Sequence, residues 1–204
     1  MNIVFRTDSS DKIGLGHISR CMNLAYELKK RGHYILFICK DCEKKQRDLI
    51  EKKYDIELIN NVGLDLETAD KNENQLKDAT LTLNAIKKCG LVVDIIVVDK
   101  YSLGDIWHNQ VRKCLDELQK RRVKLVAIDD LANKKMKTDY IVNQNYFGEY
   151  SENIYQGKID SQCKKLIGPQ YAILAEEYRM LKKSIVKEGR RGRRINIYFG
   201  NANN

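Results

Sequence analysis

The sequence predicts an α/β fold with a doubly wound, mainly parallel sheet. Short apolar runs alternate with amphipathic stretches along nearly the whole chain of 204 residues. Two of these runs, 91–99 and 123–129, are almost continuously aliphatic, which is typical of strands covered by helices on both faces. Strands that alternate with helices form βαβ units and pair in parallel. The expected architecture is therefore Rossmann-like.

The first half of the chain contains three strand-and-helix signals in succession. In the first helix, apolar residues recur at helical spacing from Ile18 to Leu28, and Gly32 follows where a terminating glycine is common. The third helix is polar, with sparse apolar positions. Strands are predicted at 2–6, 34–39 and 55–59, and helices at 17–31, 43–53 and 72–88.

The second half continues this alternation. Its strongest strand signal is LVVDIIVVD at 91–99. A basic run, GRRGRR at 189–194, precedes INIYFG at 195–200, an apolar strand that either opens a new α/β unit or joins the existing sheet as an edge. Between these segments, helices are predicted at 105–120 and 172–187, and strands at 123–129 and 139–144.

The composition is that of a globular protein. Hydrophobic residues make up 43% and charged residues 32% of the chain, which argues against disorder. No apolar run approaches the ~20 residues that cross a bilayer, and the amino terminus lacks the basic start and apolar stretch of a secretory signal. We therefore expect a cytoplasmic protein without a membrane partner.

The formal net charge of +9 has three interpretations. A solvated surface with a basic linker at 189–194 is the favoured one. Nucleic-acid binding is not expected, because the sequence shows neither basic residues interleaved with aromatics nor a known module. Attraction of an anionic substrate is the third interpretation.

The six cysteines are expected to be free thiols. Cys39 and Cys42 have C-x-x-C spacing, but the sequence has no second such pair and no suitably spaced histidines. A structural zinc site needs four ligands. We therefore expect no metal ion and no other cofactor.

The most informative stretch is DKIGLGHISRC at 11–21. A dinucleotide fingerprint starting at Gly14 would need a glycine at Ser19 and a short turn after the strand, and a Walker loop would need G-K-[ST]. Neither motif is present, so NAD binding is not expected. What remains is two glycines, Gly14 and Gly16, that let the backbone approach a ligand, and a helix start that favours an anion.

His17 stands at this helix start. The positive end of the helix dipole disfavours an imidazolium, so the ring is expected to be neutral and able to accept a proton. Two interpretations stay open on these residues alone: a surface or capping histidine, and a catalytic base. His33 and His108 have no such setting and are expected to be structural.

Polar residues follow three buried strands at their carboxyl ends, where open α/β sheets bind ligands. They are RTDSS at 6–10, DKY at 99–101, and Asp129 with Asp130. We expect these residues to share a pocket with the glycine turn. The simpler alternative is that the acidic residues cap the helices that follow, Asp130 in particular.

Four motifs occur in an order that is characteristic of one family. The first is R-x-D-x-S-x-x-I-G-x-G-H-x-x-R-C at 6–21. The others are VVDKY at 97–101, AIDDLA at 127–132 with DYIVNQN at 139–145, and LIGPQYAIL at 166–174. Together they span nearly the whole chain and resemble the PseG/SpsG family of UDP-2,4-diacetamido-2,4,6-trideoxy-β-L-altropyranose hydrolases, which act in pseudaminic acid biosynthesis.

The resemblance implies a GT-B architecture, in which two Rossmann-like domains enclose the active site. It also implies attack of water on the anomeric carbon of a UDP-sugar, with inversion and without a metal ion. In this resemblance His17 matches the general base, Gly14 and Gly16 match the turn near the pyrophosphate, and Tyr101 matches a residue of the sugar site. Supporting roles are implied for the remaining matched positions, which are Arg6, Asp8, Arg20 and Asp99.

The chain departs from the family pattern at the second domain, which holds most of the uridine and diphosphate contacts. A strand entering S-F-G-G-x-D opens that domain in the family, whereas Asn201 stands here in place of the second glycine. The sequence predicts a catalytic domain at 1–188, a basic linker at 189–194 and the stub of a nucleotide-binding domain at 195–204. A second-domain chain or another copy of this chain is therefore a candidate partner, and half a cleft is expected to bind a UDP-sugar poorly.

Two other functions stay open at this point. One is a GT-B glycosyltransferase, which would use a sugar acceptor in place of water. The other is a non-catalytic remnant or binding module without the nucleotide-binding domain.

Overall fold

The computed structural model describes residues 1–9, 14–40, 42, 44–59 and 71–184. The basic linker expected at 189–194, the strand expected from residue 195 and the last residues of the helix expected at 172–187 lie outside these described residues. The domain boundaries therefore stay predictions.

Seven strands form one parallel sheet: β1 (Asn2–Thr7), β2 (Tyr34–Cys39), β3 (Asp55–Leu58), β4 (Ile95–Asp99), β5 (Lys124–Ile128), β6 (Tyr140–Asn143) and β7 (Lys164–Ile167). Their spatial order is β3-β2-β1-β4-β5-β6-β7. The chain begins in the middle, winds outward to β3, and then crosses to β4 on the other side of β1. This reversal between β1 and β4 confirms the doubly wound, Rossmann-like sheet that the sequence predicts.

The longer helices are α1 (Gly16–Lys30), α2 (Lys44–Glu51), α3 (Lys71–Lys88), α4 (Asp105–Gln119) and α5 (Glu176–Ser184). Single 3₁₀ turns are present at Gly148–Glu152 and Pro169–Tyr171. Most bounds agree with the predicted ones to within two residues, but α5 starts four residues later than predicted, after the second 3₁₀ turn. In the described ranges no helix combines the length and the apolar character that a bilayer crossing requires.

The core lies on both faces of the sheet, because successive residues of a strand point to opposite sides. Val4 and Leu36 belong to a buried cluster that includes Trp107 of α4. On the other face, Phe5 and Phe37 stack with their ring centroids 5.0 Å apart, in a cluster that includes residues of α1 and α2. Burial on both faces explains why these strands have continuous rather than alternating apolar sequences.

Strand β4 starts at Ile95, four residues later than the apolar run at 91–99 predicts. The first part of that run connects α3 to the sheet, and side chains satisfy its backbone: Asn2 Nδ2 donates to the carbonyl of Val92, and the amide of Val93 donates to Gln119 Oε1. Val93 is fully buried in the core although it is not in a strand. Burial of Val93 therefore accounts for part of the apolar signal there, whereas Val92 is exposed.

Strand β7 was not predicted. Among the described strands it pairs with β6 alone, and its first two residues are the exposed Lys164 and Lys165. Lysines are common on edge strands, where they oppose pairing with other chains. The edge position therefore explains why the segment lacks an apolar strand pattern.

Trp107 connects α4 to α3 and provides a test of this core. Its indole Nε1 donates a hydrogen bond of 2.9 Å to Oδ1 of the buried Asp78 on α3. We expect Trp107→Phe to lower the free energy of unfolding in urea by about 2–4 kcal/mol, because a bond to a charged acceptor is lost and a void is left. Leu118→Ala, at an exposed position of the same helix, is the control and is expected to cost less than about 0.5 kcal/mol. Equal losses in the two variants would contradict this account.

Candidate active site

The candidate site lies at the carboxyl ends of β1, β4 and β5. The strand order reverses between β1 and β4, so this is the topological switch point of the sheet. Parallel neighbouring strands place the residues that follow them at one edge, so the segments starting at Asp8, Asp99 and Asp129 meet there. Helix α1 begins at the same edge with Gly16 and His17. The residues that the sequence predicts to share a pocket therefore lie at the same edge of the sheet.

His17 is held by Asp99, the last residue of β4. The distance from His17 Nδ1 to Asp99 Oδ1 is 2.6 Å, and the Asp99 side chain is fully buried. A carboxylate this close favours a proton on Nδ1, because a lone pair there would be repelled, although Arg20 Nη2 also lies 3.2 Å from this nitrogen. We therefore assign the Nδ1–H tautomer to the neutral form of the ring, in which Nε2 can accept a proton and has no hydrogen-bond partner among the described residues.

Arg20, one turn further along α1, clamps the same carboxylate. Its Nε lies 2.6 Å from Asp99 Oδ2, and its Nη2 lies 2.6 Å from Asp99 Oδ1. This fork geometry is the strongest arrangement available to an arginine and a carboxylate. Burial by itself would raise the pKa of the Asp99 carboxyl, but the hydrogen bonds from Arg20 and His17 hold it below its usual value.

Asp130 extends this contact to Tyr101. Its Oδ2 accepts a bond of 2.5 Å from Arg20 Nη1 and one of 2.5 Å from the Tyr101 hydroxyl. The Tyr101 ring in turn meets the His17 ring edge to face, with the centroids 4.5 Å apart. Burial and the Asp130 carboxylate raise the Tyr101 pKa, so the phenol stays protonated as a donor.

Asp130 therefore contacts Arg20 and Tyr101, and the alternative that it caps a following helix is wrong, because no helix starts directly after it. Asp129 instead closes a turn, since its Oδ2 accepts the amide of Ala132 at 2.8 Å. The signal that points to Asp130 is its position directly after β5. What the sequence lacks is any sign that α1 supplies an arginine to it.

Arg6 and Asp8 belong to a second, neighbouring ion cluster. Arg6 is completely buried, with Nη1 2.5 Å from Asp8 Oδ1 and Nη2 2.6 Å from Asp78 Oδ2. Lys100 Nζ completes the cluster at 2.5 Å from Asp8 Oδ2. These contacts join β1 to α3 and the end of β4, so we assign Arg6 and Asp8 to the support of this edge of the sheet.

The tripeptide Asp99-Lys100-Tyr101 serves both clusters. Asp99 and Tyr101 reach the His17 side, whereas Lys100 reaches Asp8 on the other side. Asp99 ends β4 and Tyr101 begins a turn, so the three side chains leave the backbone at points where it changes direction. One short segment therefore positions two separate sets of charges.

The two glycines lie at the start of α1 with open space around them. Gly14 has a φ of +78°, a backbone conformation that favours glycine, and a Cβ placed at Gly14 or Gly16 would meet no atom of the described residues within 4 Å. Leu15 caps the helix without a side-chain hydrogen bond, and its first turn has no acidic residue. The amides of this turn suit an anionic group.

The remaining titratable candidates fall outside this arrangement. His108 is completely buried, and burial lowers its pKa to about 3, so it stays neutral. A hydrogen bond from Cys39 lowers the pKa of the Cys42 thiol at the end of β2. In the part of the chain that the structure describes, no three His, Cys, Asp or Glu side chains are arranged as a metal site.

Comparison with known proteins gives one informative relative. No family model matches the chain. The UDP-2,4-diacetamido-2,4,6-trideoxy-β-L-altropyranose hydrolase of Campylobacter jejuni is 28% identical over 178 residues, which are 87% of this chain and 53% of that protein. The resemblance to the PseG/SpsG family is confirmed at modest identity. The roles of the matched residues stay predictions.

Two further similarities concern proteins whose names add no activity to this chain. An uncharacterized protein of Methanocaldococcus jannaschii is 23% identical over 206 residues, which are 97% of this chain and 36% of that protein. The chain thus spans about half of the length of the Campylobacter jejuni hydrolase and about a third of that of the Methanocaldococcus jannaschii protein. The crystal structure of Acinetobacter baumannii MurG aligns with a TM-score of 0.45 at 12% identity, over 72% of this chain and 42% of MurG, a likeness too low to support an argument.

The tautomer of His17 tests the geometry without reference to activity. In two-bond ¹H–¹⁵N correlation spectra of the neutral form, we expect Nδ1 to be protonated and Nε2 to be bare. In Asp99→Asn the amide group can donate to Nδ1, so the Nε2–H tautomer should become populated. His33, which lies outside the site, is an internal control whose signals should not change. A wild-type ring with its proton on Nε2 would contradict the assignment.

Proposed function

We propose that this chain processes a UDP-sugar, and that it hydrolyses a UDP-activated diacetamido-trideoxy sugar to UDP and the free sugar with inversion. The observation that carries the proposal is the His17–Asp99 contact beside Tyr101, at the start of a helix whose N-cap residue Leu15 makes no side-chain hydrogen bond to it. The similarity to the Campylobacter jejuni hydrolase supports the choice of substrate.

In the proposed step, the oxygen of a water molecule forms a bond to the anomeric carbon while the bond from that carbon to the diphosphate oxygen breaks. The electron pair of the broken bond leaves with UDP. The proton of the water moves to Nε2 of His17, and Asp99 stabilises the imidazolium that forms. A base in this position contributes about 10²–10⁴-fold to the rate.

The negative charge that develops on the diphosphate needs a partner. The amides at the start of α1, next to the open backbone at Gly14, provide hydrogen-bond donors and the positive end of a helix dipole. In this proposal no metal ion takes part in the step, so activity should persist in EDTA. Tyr101, which touches the His17 ring, lines the sugar side of the pocket.

The nucleotide needs contacts beyond the described residues. The family resemblance implies a second domain that makes most of the contacts to the uridine and the diphosphate. We propose that such a domain, on the same polypeptide or on a partner chain, completes the cleft. The described domain then supplies the base and the sugar-facing side.

His17→Gln tests the role of the histidine. We expect the release of UDP to fall about 100-fold or more, because the general base is lost, while the circular dichroism spectrum stays unchanged. His33→Gln, which removes a histidine outside the site, should keep full activity. The assay should use both the 204-residue chain and the product of its complete reading frame. Undiminished UDP release in His17→Gln would refute the proposed role.

Product analysis separates the proposal from its two alternatives. NMR spectra should show the free sugar with an inverted anomeric centre directly after turnover. A glycoside would instead identify a glycosyltransferase. If neither chain length turned over substrate or bound UDP saturably in a titration, a non-catalytic remnant would be the better description.

A further inference from the structure

We propose that a basic cleft at the amino-terminal edge of β5, β6 and β7 binds a phosphate group, either inorganic phosphate or a small phosphomonoester. The basic cleft is defined by Arg112, Arg122, Lys124 and Lys164 around Asp139, and it has a volume of about 200 Å³. It lies at the opposite edge of the sheet from His17. The proposal does not depend on the proposed function.

Three cations converge on the single carboxylate of Asp139. Arg112 Nη2 lies 2.6 Å from Oδ2, Arg122 Nη2 lies 3.0 Å from Oδ1, and Lys124 Nζ lies 3.3 Å from Oδ1. The same carboxylate accepts the amide of Leu125 at 2.9 Å. Asp139 is therefore fully used as an acceptor and holds the three cations close to one another.

The basic cleft has more positive charge than its acids can balance. The other acid that lines it, Asp160, is paired with Lys137. Lys164 adds a fourth cation, with its Nζ 5.6 Å from the centre of the Tyr140 ring. The four cations of the cleft are balanced by the Asp139 carboxylate alone, which leaves an excess of three positive charges. This excess favours a ligand with two negative charges over a chloride ion.

A buried donor in the basic cleft has no acceptor. Nε of Arg112 is inaccessible to solvent and has no hydrogen-bond partner in the described part of the chain. A buried N–H without an acceptor is unfavourable, and because this Nε is closed to solvent, an anion oxygen would satisfy it only after the Arg112 side chain shifts. A planar guanidinium with free donors matches the oxygens of phosphate in particular.

The dimensions of the cleft limit the ligand to a small one. A volume of about 200 Å³ holds several water molecules, and thus a phosphate group with a short substituent, but not a nucleotide sugar. Lys124 and Asp130 are six residues apart along β5 and its end, which is roughly 20 Å at the rise of a strand. This separation exceeds the screening length of about 8 Å at physiological salt, so the cleft and the His17 site act independently.

Calorimetric titration of the 204-residue chain with sodium phosphate tests the proposal, at about 150 mM ionic strength, where the His17 site lies beyond the screening length of about 8 Å. We expect one saturable site with a sub-millimolar dissociation constant. Arg112→Gln should weaken binding at least tenfold. Lys113→Gln is the matched control, since it removes the same charge from an exposed position of the same helix, outside the cleft, and should leave the affinity nearly unchanged.

Two additions make the outcome decisive. Lys124→Gln changes a half-exposed side chain and should weaken binding several-fold, so it replaces Arg112→Gln if that variant does not fold. Glycerol 3-phosphate in place of phosphate distinguishes the source: tighter binding identifies a phosphomonoester, and weaker binding identifies inorganic phosphate. The proposal is wrong if phosphate does not saturate the chain, or if Lys113→Gln weakens binding as much as the cleft variants do.

Discussion

The guanidinium of Arg20 is the contact on which the candidate site depends. It joins three elements that are distant in sequence: α1, which carries it, the end of β4 through Asp99, and the segment after β5 through Asp130. Because the same Asp99 carboxylate also receives His17, the arginine fixes the acceptor that orients the histidine. Asp130, which accepts from Arg20, also accepts from the Tyr101 hydroxyl, and the Tyr101 ring contacts the His17 ring. A lysine could supply the charge but not this three-way geometry.

Two buried ion clusters share one edge of the sheet without sharing a role. The cluster of Arg6, Asp8, Asp78 and Lys100 balances its charges and fastens α3 to the centre of the sheet. The cluster around Arg20 keeps a histidine nitrogen available. Both clusters use consecutive residues at the end of β4 and just after it, Asp99 to Tyr101, so a substitution in this short segment would disturb one cluster or the other.

The sequence predicted the fold well where local pattern and burial coincide. Strand β2 was predicted to the residue, because its apolar run is bounded by the polar ends that also bound the strand. The start of β4 was misplaced because Val93 is buried by tertiary contacts outside the strand, and β7 was missed because an edge strand needs little apolar sequence.

In the candidate site, the strand-end rule predicted that residues after β4 and β5 come together, and Asp99, Tyr101 and Asp130 do meet around Arg20. It could not reveal that Arg6 pairs with an aspartate 72 residues away on α3. Partners of that kind depend on how helices pack against the sheet, which no local spacing records.

The lysines of β7 affect how readily this protein associates with other chains through its sheet. An edge strand offers a row of unpaired backbone groups to any other unfolded or partly folded chain. Adding a strand beside Lys164 and Lys165 would require their ammonium groups to lose water and lie against a new neighbour. Among the described strands β7 is an edge, and the hydration of its lysines therefore opposes strand exchange and fibrous association there.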